Sequence, residues 1–155
     1  VIAVTGKLGA SSKGLVDIMF GDLNTSAAKI HRLGQARTTE GAWLGTRSEV
    51  HAMMDISDGI ASDIKHIMEL SGVGARINME LIPTDYDIRF ATTGGEDYEL
   101  LLTVDSASFD TIAEELYKAT GTTLTAIGTI TEGNTLSWLD NGAPTELELK
   151  GFTHF

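Results

Sequence analysis

The sequence predicts an α/β (α+β) chain built on one mixed β-sheet, with helices packed mainly on one face. Apolar runs of strand length are interleaved with segments of helical period. The interleaving lacks the regular alternation of a fully parallel sheet. Over 155 residues, 42% hydrophobic and 21% charged content is that of an ordinary globular chain. A single domain is expected, long enough to bury roughly 68–70% of its unfolded surface.

The chain opens on Val1-Ile2-Ala3-Val4-Thr5-Gly6, a strand already under way, and Val in place of Met at its start suggests a piece of a longer protein. Lys7 to Gly14 reads as a Gly/Ser-rich turn, followed by Leu15, Ile18, Met19 and Leu23 at the spacing of an amphipathic helix. Short helices are expected at Ser26 to Leu33 and from about Thr39 to Gly45, the latter capped by Thr38 or Thr39. His51 to Ile56 is a buried strand. Ser57 or Asp58 caps the next helix, in which Ile60, Ile64, Ile67 and Met68 share a face and which ends at Gly72.

Ala75 to Met79 is a short strand, and Leu81 to Thr93 is expected as loop because Pro83 and polar residues interrupt it. Glu96 to Val104 is read as a strand. Phe109, Ile112, Ala113 and Leu116 mark a helix ending near Gly121. Strands follow at Leu124 to Thr131, Thr135 to Asp140 and Glu146 to Leu149, with Asn141-Gly142 as a tight hairpin turn between the last two.

Charge and composition exclude several function classes. With 22 Asp+Glu against 11 Lys+Arg the net charge is −11, which argues against nucleic-acid binding. The absence of cysteine excludes disulfides, thiolate catalysis and cysteine-ligated metals, and fits a reducing, cytoplasmic setting. No apolar run reaches the length of a membrane span, so no membrane association is expected.

Three stretches could carry chemistry. In Met53-Met54-Asp55-Ile56-Ser57-Asp58-Gly59 a strand runs into a helix, and period-2 alternation points Asp55 and Ser57 the same way. A helix N-terminus favours an anion and the carboxylates favour a hard cation such as Mg²⁺, a pairing suited to a metal-bound phosphate. Ser57 and Asp58 are better explained, taken alone, as helix caps, whereas Asp55 needs a partner, a metal or an open cleft.

Thr93-Gly94-Gly95-Glu96-Asp97-Tyr98-Glu99-Leu100 sets three carboxylates in four residues before an apolar run, read either as a solvated strand start or as a binding segment. Gly6 to Gly14 fails the P-loop pattern, because Gly14 is followed by Leu15 and not Lys, and a close-packing turn is the better reading. The histidines His31, His51, His66 and His154 lack metal-ligand spacing and are given no role. Trp43 and Trp138 read as packing residues. Lys7, Lys13 and Arg37 could meet an anion.

Met53 to Ile67, Ser71 to Arg76, Gly94 to Leu100 and the closing Gly151-Phe152-Thr153-His154-Phe155 together resemble the thiamine monophosphate kinase family, whose C-terminal domain they would span. The mixed sheet is then expected to take the form seen in the C-terminal domain of aminoimidazole ribonucleotide synthase-like proteins. The resemblance implies a two-domain, ATP-dependent, homodimeric kinase that makes thiamine diphosphate from thiamine monophosphate with Mg²⁺. It matches Asp55 and Asp58 to metal-binding aspartates, Ser57 to an ATP-contacting serine, and Glu96 and Phe152 to substrate-contacting residues. No residue is assigned as a chemical catalyst. The family's N-terminal domain is outside this sequence, so the chain alone is expected to be inactive. A noncatalytic acidic module of the same fold and a sister enzyme of the superfamily are the alternatives. An upstream domain would favour the kinase, and the sister enzyme would lack GGEDYEL.

Overall fold

The computed structural model describes residues 1–145, and the expected strand Glu146 to Leu149 and Phe152 lie outside them. Along the chain run β1 (Ile2–Thr5), α1 (Ala10–Met19), α2 (Ser26–Leu33), α3 (Thr38–Leu44), β2 (Val50–Asp55), α4 (Ile60–Ser71), β3 (Gly74–Asn78), α5 (Ile88–Thr93), β4 (Leu100–Val104), α6 (Phe109–Thr120), β5 (Leu124–Thr131), β6 (Leu136–Asp140) and β7 (Ala143–Pro144). The strands form one seven-stranded sheet in the order β2-β4-β1-β5-β3-β6-β7. It is mixed: β3 and β6 run parallel, whereas the other neighbouring pairs are antiparallel. Asn141 and Gly142 both take positive φ and turn β6 into β7, as their sequence predicts.

Alternation along the buried strand β1 divides the core between two faces. Ile2 and Val4 pack with Leu101, Ile77 and Ile127 against Ile60, Ile64 and Ile67 of α4. Ala3 turns the other way, into a cluster with Leu102, Val104, Leu44 of α3, and Ile112 and Leu116 of α6. Each fully buried Ile or Leu contributes about 1.5–3 kcal/mol by leaving water. The larger helical group lies with α4: α5 joins it through Ile88 and Ala91, and α1 and α2 extend it through contacts of α1 with α5. Gly14 on α1 is required by close approach, since a Cβ there would collide with the backbone of Ala27 on α2.

Several boundaries differ from the sequence reading. Helix α1 begins at Ala10, inside the stretch read as turn, because its first N–H groups find a remote acceptor. Gly9 N and Ser11 N donate to the two oxygens of Asp97 at 2.7 and 3.0 Å. The segment read as loop from Leu81 to Thr93 is preceded by a 3₁₀ turn at Met79–Leu81 and contains α5, whose cap Asp87 accepts from Arg89 N. Arg37, not a threonine, precedes α3, and its side chain makes no cap bond.

The expected strand Glu96 to Val104 begins only at Leu100. Glu96 and Tyr98 have φ of 64° and 53°, which is incompatible with extended backbone, so the side chains of 96 to 99 do not alternate as they would on a strand. The Glu99 carboxylate is the reason the chain is held there. It is buried beneath Gly6, accepts from Thr5 Oγ1 at 2.7 Å, and takes a two-pronged bond from Arg37 at 2.8 and 2.6 Å. Arg37 also reaches Glu40, which accepts from Thr122 Oγ1 at 2.5 Å.

Replacing Arg37 by Ala strands the Glu99 charge, and urea unfolding should show a loss of about 3 kcal/mol. A loss below about 1 kcal/mol would mean the pair is not the anchor argued here. Asp97 gives a pH prediction. Burial pushes its carboxyl up to about 6, against the two N–H donors and with help from the Glu99 charge. A carboxyl raised on folding contributes stability that is complete below the unfolded value of about 4 and lost as pH rises through about 6. The melting temperature of the protein relative to Asp97→Asn should therefore fall between pH 4 and 6 and level off above; a difference that is flat across that window contradicts the assignment.

Candidate functional site

The first candidate segment lies where β2 meets α4. Asp55 is exposed at the end of β2, opposite Leu100 of β4, and Ser57 and Asp58 follow half-buried. Neither Ser57 nor Asp58 is the helix cap: Gly59 holds that position, with φ 95° and no side-chain bond. The capping runs the other way. Asp63, in the first turn of α4, accepts from Ser57 N at 3.0 Å and Asp58 N at 3.1 Å. Burial pushes the Asp63 carboxyl above the ordinary aspartate range, and the Asp58 charge adds to the rise, while the two N–H donors oppose it. The loop entering α4 is thus tied back to the helix by Asp63, with Gly59 and not Ser57 or Asp58 at the cap position.

The second segment is stitched to the first by backbone. Glu96 N donates to Ser57 O at 2.9 Å, Tyr98 N to Ile56 O at 3.0 Å, and Ile56 N to Glu99 O at 2.7 Å. Gly95 permits this approach, since a Cβ there would collide with the Ser57 carbonyl. The four acidic or aromatic side chains from 96 to 99 consequently diverge in role. Glu96 is exposed, Asp97 ties to α1, Tyr98 lines a cavity, and Glu99 is buried with Arg37.

Three concavities meet around these segments. A cavity of about 70 Å³ is lined by Ser57, Gly95, Glu96, Ser11, Ser12, Leu15 and His31. A second, of about 420 Å³, holds Glu96, Asp97, Glu99, Arg37, Lys7 and Tyr86 among its walls. A third, of about 320 Å³, is bordered by Asp55, Tyr98, Arg37 and Met53. Ser57 and Glu96 therefore share one cavity and Asp55 borders another. The strand alternation expected to carry Asp55 and Ser57 to one side stops where β2 stops.

Among the described residues, no three His, Cys, Asp or Glu side chains come together to hold a metal ion. Asp55 and Asp58 offer hard oxygen donors of the kind that suit Mg²⁺, which is held through one or two carboxylates with waters and substrate phosphates in the remaining positions. The donor chemistry fits a partial shell that needs ligands from elsewhere. At the N-terminus of α1 Asp97 accepts from Gly9 N and Ser11 N, and Ala10 to Gly14 are helical, so only the first part of the Gly6 to Gly14 stretch is the packing turn read from the sequence.

Sequence reasoning missed His31 and Ser11. His31 Nδ1 lies 2.8 Å from Ser11 Oγ and 3.6 Å from Glu96 Oε2. No local spacing signals this trio, since its members come from α1, α2 and a distant loop. Arg37, read only as a basic residue that could meet an anion, is an internal partner of Glu99. Trp138 is buried and Trp43 carries the Arg47 guanidinium over its ring at 3.9 Å, both as packing residues.

Among the described residues no helix is long and apolar enough to cross a membrane. The chain is 34% identical to the thiamine-monophosphate kinase of Escherichia coli (strain K12), over 99% of this chain and 52% of that protein. To the thiamine-monophosphate kinase of Bacillus subtilis (strain 168) it is 27% identical, over 100% of this chain and 52% of that protein. The chain spans about half the length of the curated relatives it matches.

The crystal structure of thiamine-monophosphate kinase from Stenotrophomonas maltophilia K279a superposes with a TM-score of 0.77 at 29% identity, covering 93% of this chain and 50% of that one. AaThiL complexed with AMPPCP and TMP gives a TM-score of 0.78 at 27% identity, covering 99% of this chain and 50% of that one. The E. coli hydrogenase maturation protein HypE, at 15% identity and a TM-score of 0.72, shares the fold. Residues 1–139 match the family model for AIR synthase related protein, C-terminal domain, and with the mixed sheet described above this makes the chain a member of that family.

Proposed function

We propose that this chain is the C-terminal half of an ATP-dependent kinase that phosphorylates thiamine monophosphate to thiamine diphosphate. One observation carries the reading: Ser57 and Glu96, from segments 39 residues apart (96 − 57), line one cavity at the junction of β2 and α4. The relatives at 34% and 27% identity that are thiamine-monophosphate kinases support the same reading, as does the similarity to AaThiL complexed with AMPPCP and TMP.

The chemistry asks little of a base. A phosphate oxygen of thiamine monophosphate is already anionic; it forms the new P–O bond to the γ-phosphorus of ATP as the bond to the β-phosphate oxygen breaks, and the electron pair leaves with ADP. The obstacle is repulsion between two polyanions, so alignment and charge screening dominate. Asp55 and Asp58 would hold Mg²⁺, which when bound supplies that screening. The Ser57 hydroxyl donates to a nucleotide phosphate. Glu96, beside Ser57 in the same cavity, orients the acceptor, and Phe152, outside the described residues, is assigned to the acceptor by resemblance alone. A homodimer of the two-domain protein in the cytoplasm completes the proposal.

The 155-residue chain by itself should show no turnover of thiamine monophosphate with Mg-ATP, whereas the protein including the sequence encoded upstream of Val1 should; activity of the isolated chain, persisting after further purification, contradicts this. In the longer protein, Asp55→Asn should leave the melt unchanged, because Asp55 is exposed, and should slow turnover about 100-fold. Ser57→Ala should also leave stability within about 0.5 kcal/mol, since the Ser57 side chain does not cap α4. Loss of folding in Asp55→Asn with normal activity of the folded remainder would make Asp55 structural.

A further inference from the structure

We infer that Ser11 and His31 form a positioning device that aims the Glu96 carboxylate into the cavity it shares with Ser57, and so sets affinity for the phosphoryl acceptor without contacting the nucleotide. The inference rests on the reading of Glu96 as acceptor-binding.

The three residues are arranged as support, contact and working group. Ser11 is 2% exposed, in the first turn of α1. Its backbone N–H is bonded to Asp97, so its position is fixed from the same loop that carries Glu96. The Ser11 hydroxyl lies 2.8 Å from His31 Nδ1, which fixes the rotation of the imidazole. Helix α2 cannot drift from α1, because Gly14 and the Ala27 backbone are in direct apposition. The same ring nitrogen faces Glu96 Oε2 at 3.6 Å, an ion-pair separation when the imidazole is protonated rather than a hydrogen bond.

This contact is poorly suited to stabilising the fold. The Glu96 side chain is 51% exposed, and exposed ion pairs contribute little. Glu96 is also held in the left-handed region, φ 64°, a conformation that costs energy in a non-glycine residue and is maintained by the bond from its N–H to Ser57 O. The effect of that backbone is to present the carboxylate at the cavity rather than along a strand. All three side chains and Ser57 line the same space of about 70 Å³. A mobile carboxylate there would lose orientation toward a bound acceptor, and orientation is what the proposed transfer requires.

Steady-state kinetics on the longer protein, with thiamine monophosphate and ATP varied separately, test the arrangement. His31→Ala should raise KM for thiamine monophosphate about tenfold while KM for ATP and the melting temperature stay within twofold and about 2 °C. His31→Gln, which keeps polar atoms on a side chain of similar reach, should recover most of the loss. Ser11→Ala should act in the same direction and more weakly. On a Glu96→Ala background, His31→Ala should add nothing, because the group it positions is gone.

Equal increases in both KM values, no rescue by Gln, or multiplying effects on the Glu96→Ala background would each overturn the inference. If His31→Ala does not fold, His31→Phe keeps the ring volume without its nitrogens and must reproduce the selective KM effect. Absence of thiamine monophosphate turnover by the unaltered longer protein would overturn the functional reading itself, and this inference with it; normal turnover with unchanged variants would overturn this inference alone.

Discussion

The structure depends on one buried carboxylate. Glu99 sits at the point where the GGEDYE segment becomes β4, under Gly6 and against the side chain of Thr5 at the end of β1. A buried carboxylate is tolerated only with compensating donors, and Arg37 supplies two from the connection between α2 and α3. Thr5 is used twice: it donates to Glu99 and accepts from Leu100 N, where β4 begins. Through Arg37 and Glu40 the same network reaches Thr122, two residues before β5. One charge therefore fixes the register of the central strands and holds the loop segments that surround the candidate site.

The site itself follows from a division of labour among carboxylates. Asp63 is absorbed by the N–H groups of Ser57 and Asp58 ahead of α4, and Asp97 by those of Gly9 and Ser11 at the start of α1. Glu99 and Glu40 are absorbed by Arg37. Beside the cavities Asp55 and Glu96 remain exposed, so their negative charge can act on something outside the fold. The chemistry proposed for the chain needs carboxylates of this second kind near a cleft, and the first kind to keep the cleft in place.

Close backbone packing between the two segments explains why their side chains project as they do. The three backbone bonds between residues 56–57 and 96–99 pull the second segment out of extended geometry. Asp97 and Glu99 are thereby turned to separate partners, although a regular strand would put them on one face. Glu96 is brought to the wall occupied by Ser57 for the same reason.

The sequence alone determined the elements whose signals are local. The apolar period of α4, the buried run of β1, the α2 boundaries and the Asn141-Gly142 turn were all readable, because side-chain period and turn conformation are properties of a few neighbouring residues. The DISDG and GGEDYEL segments were likewise legible as the places where polar chemistry concentrates, and their resemblance to a kinase family agrees with the relatives found. What only the tertiary structure decided was the fate of each polar side chain. Asp97 as the cap of a helix that starts 87 residues earlier (97 − 10), Arg37 as the partner of Glu99, and His31 beside Ser11 and Glu96 all join distant parts of the chain. Such pairings are set by sheet order and helix packing, and a carboxylate carries no local mark of whether it will meet an N–H group, a guanidinium or open solvent.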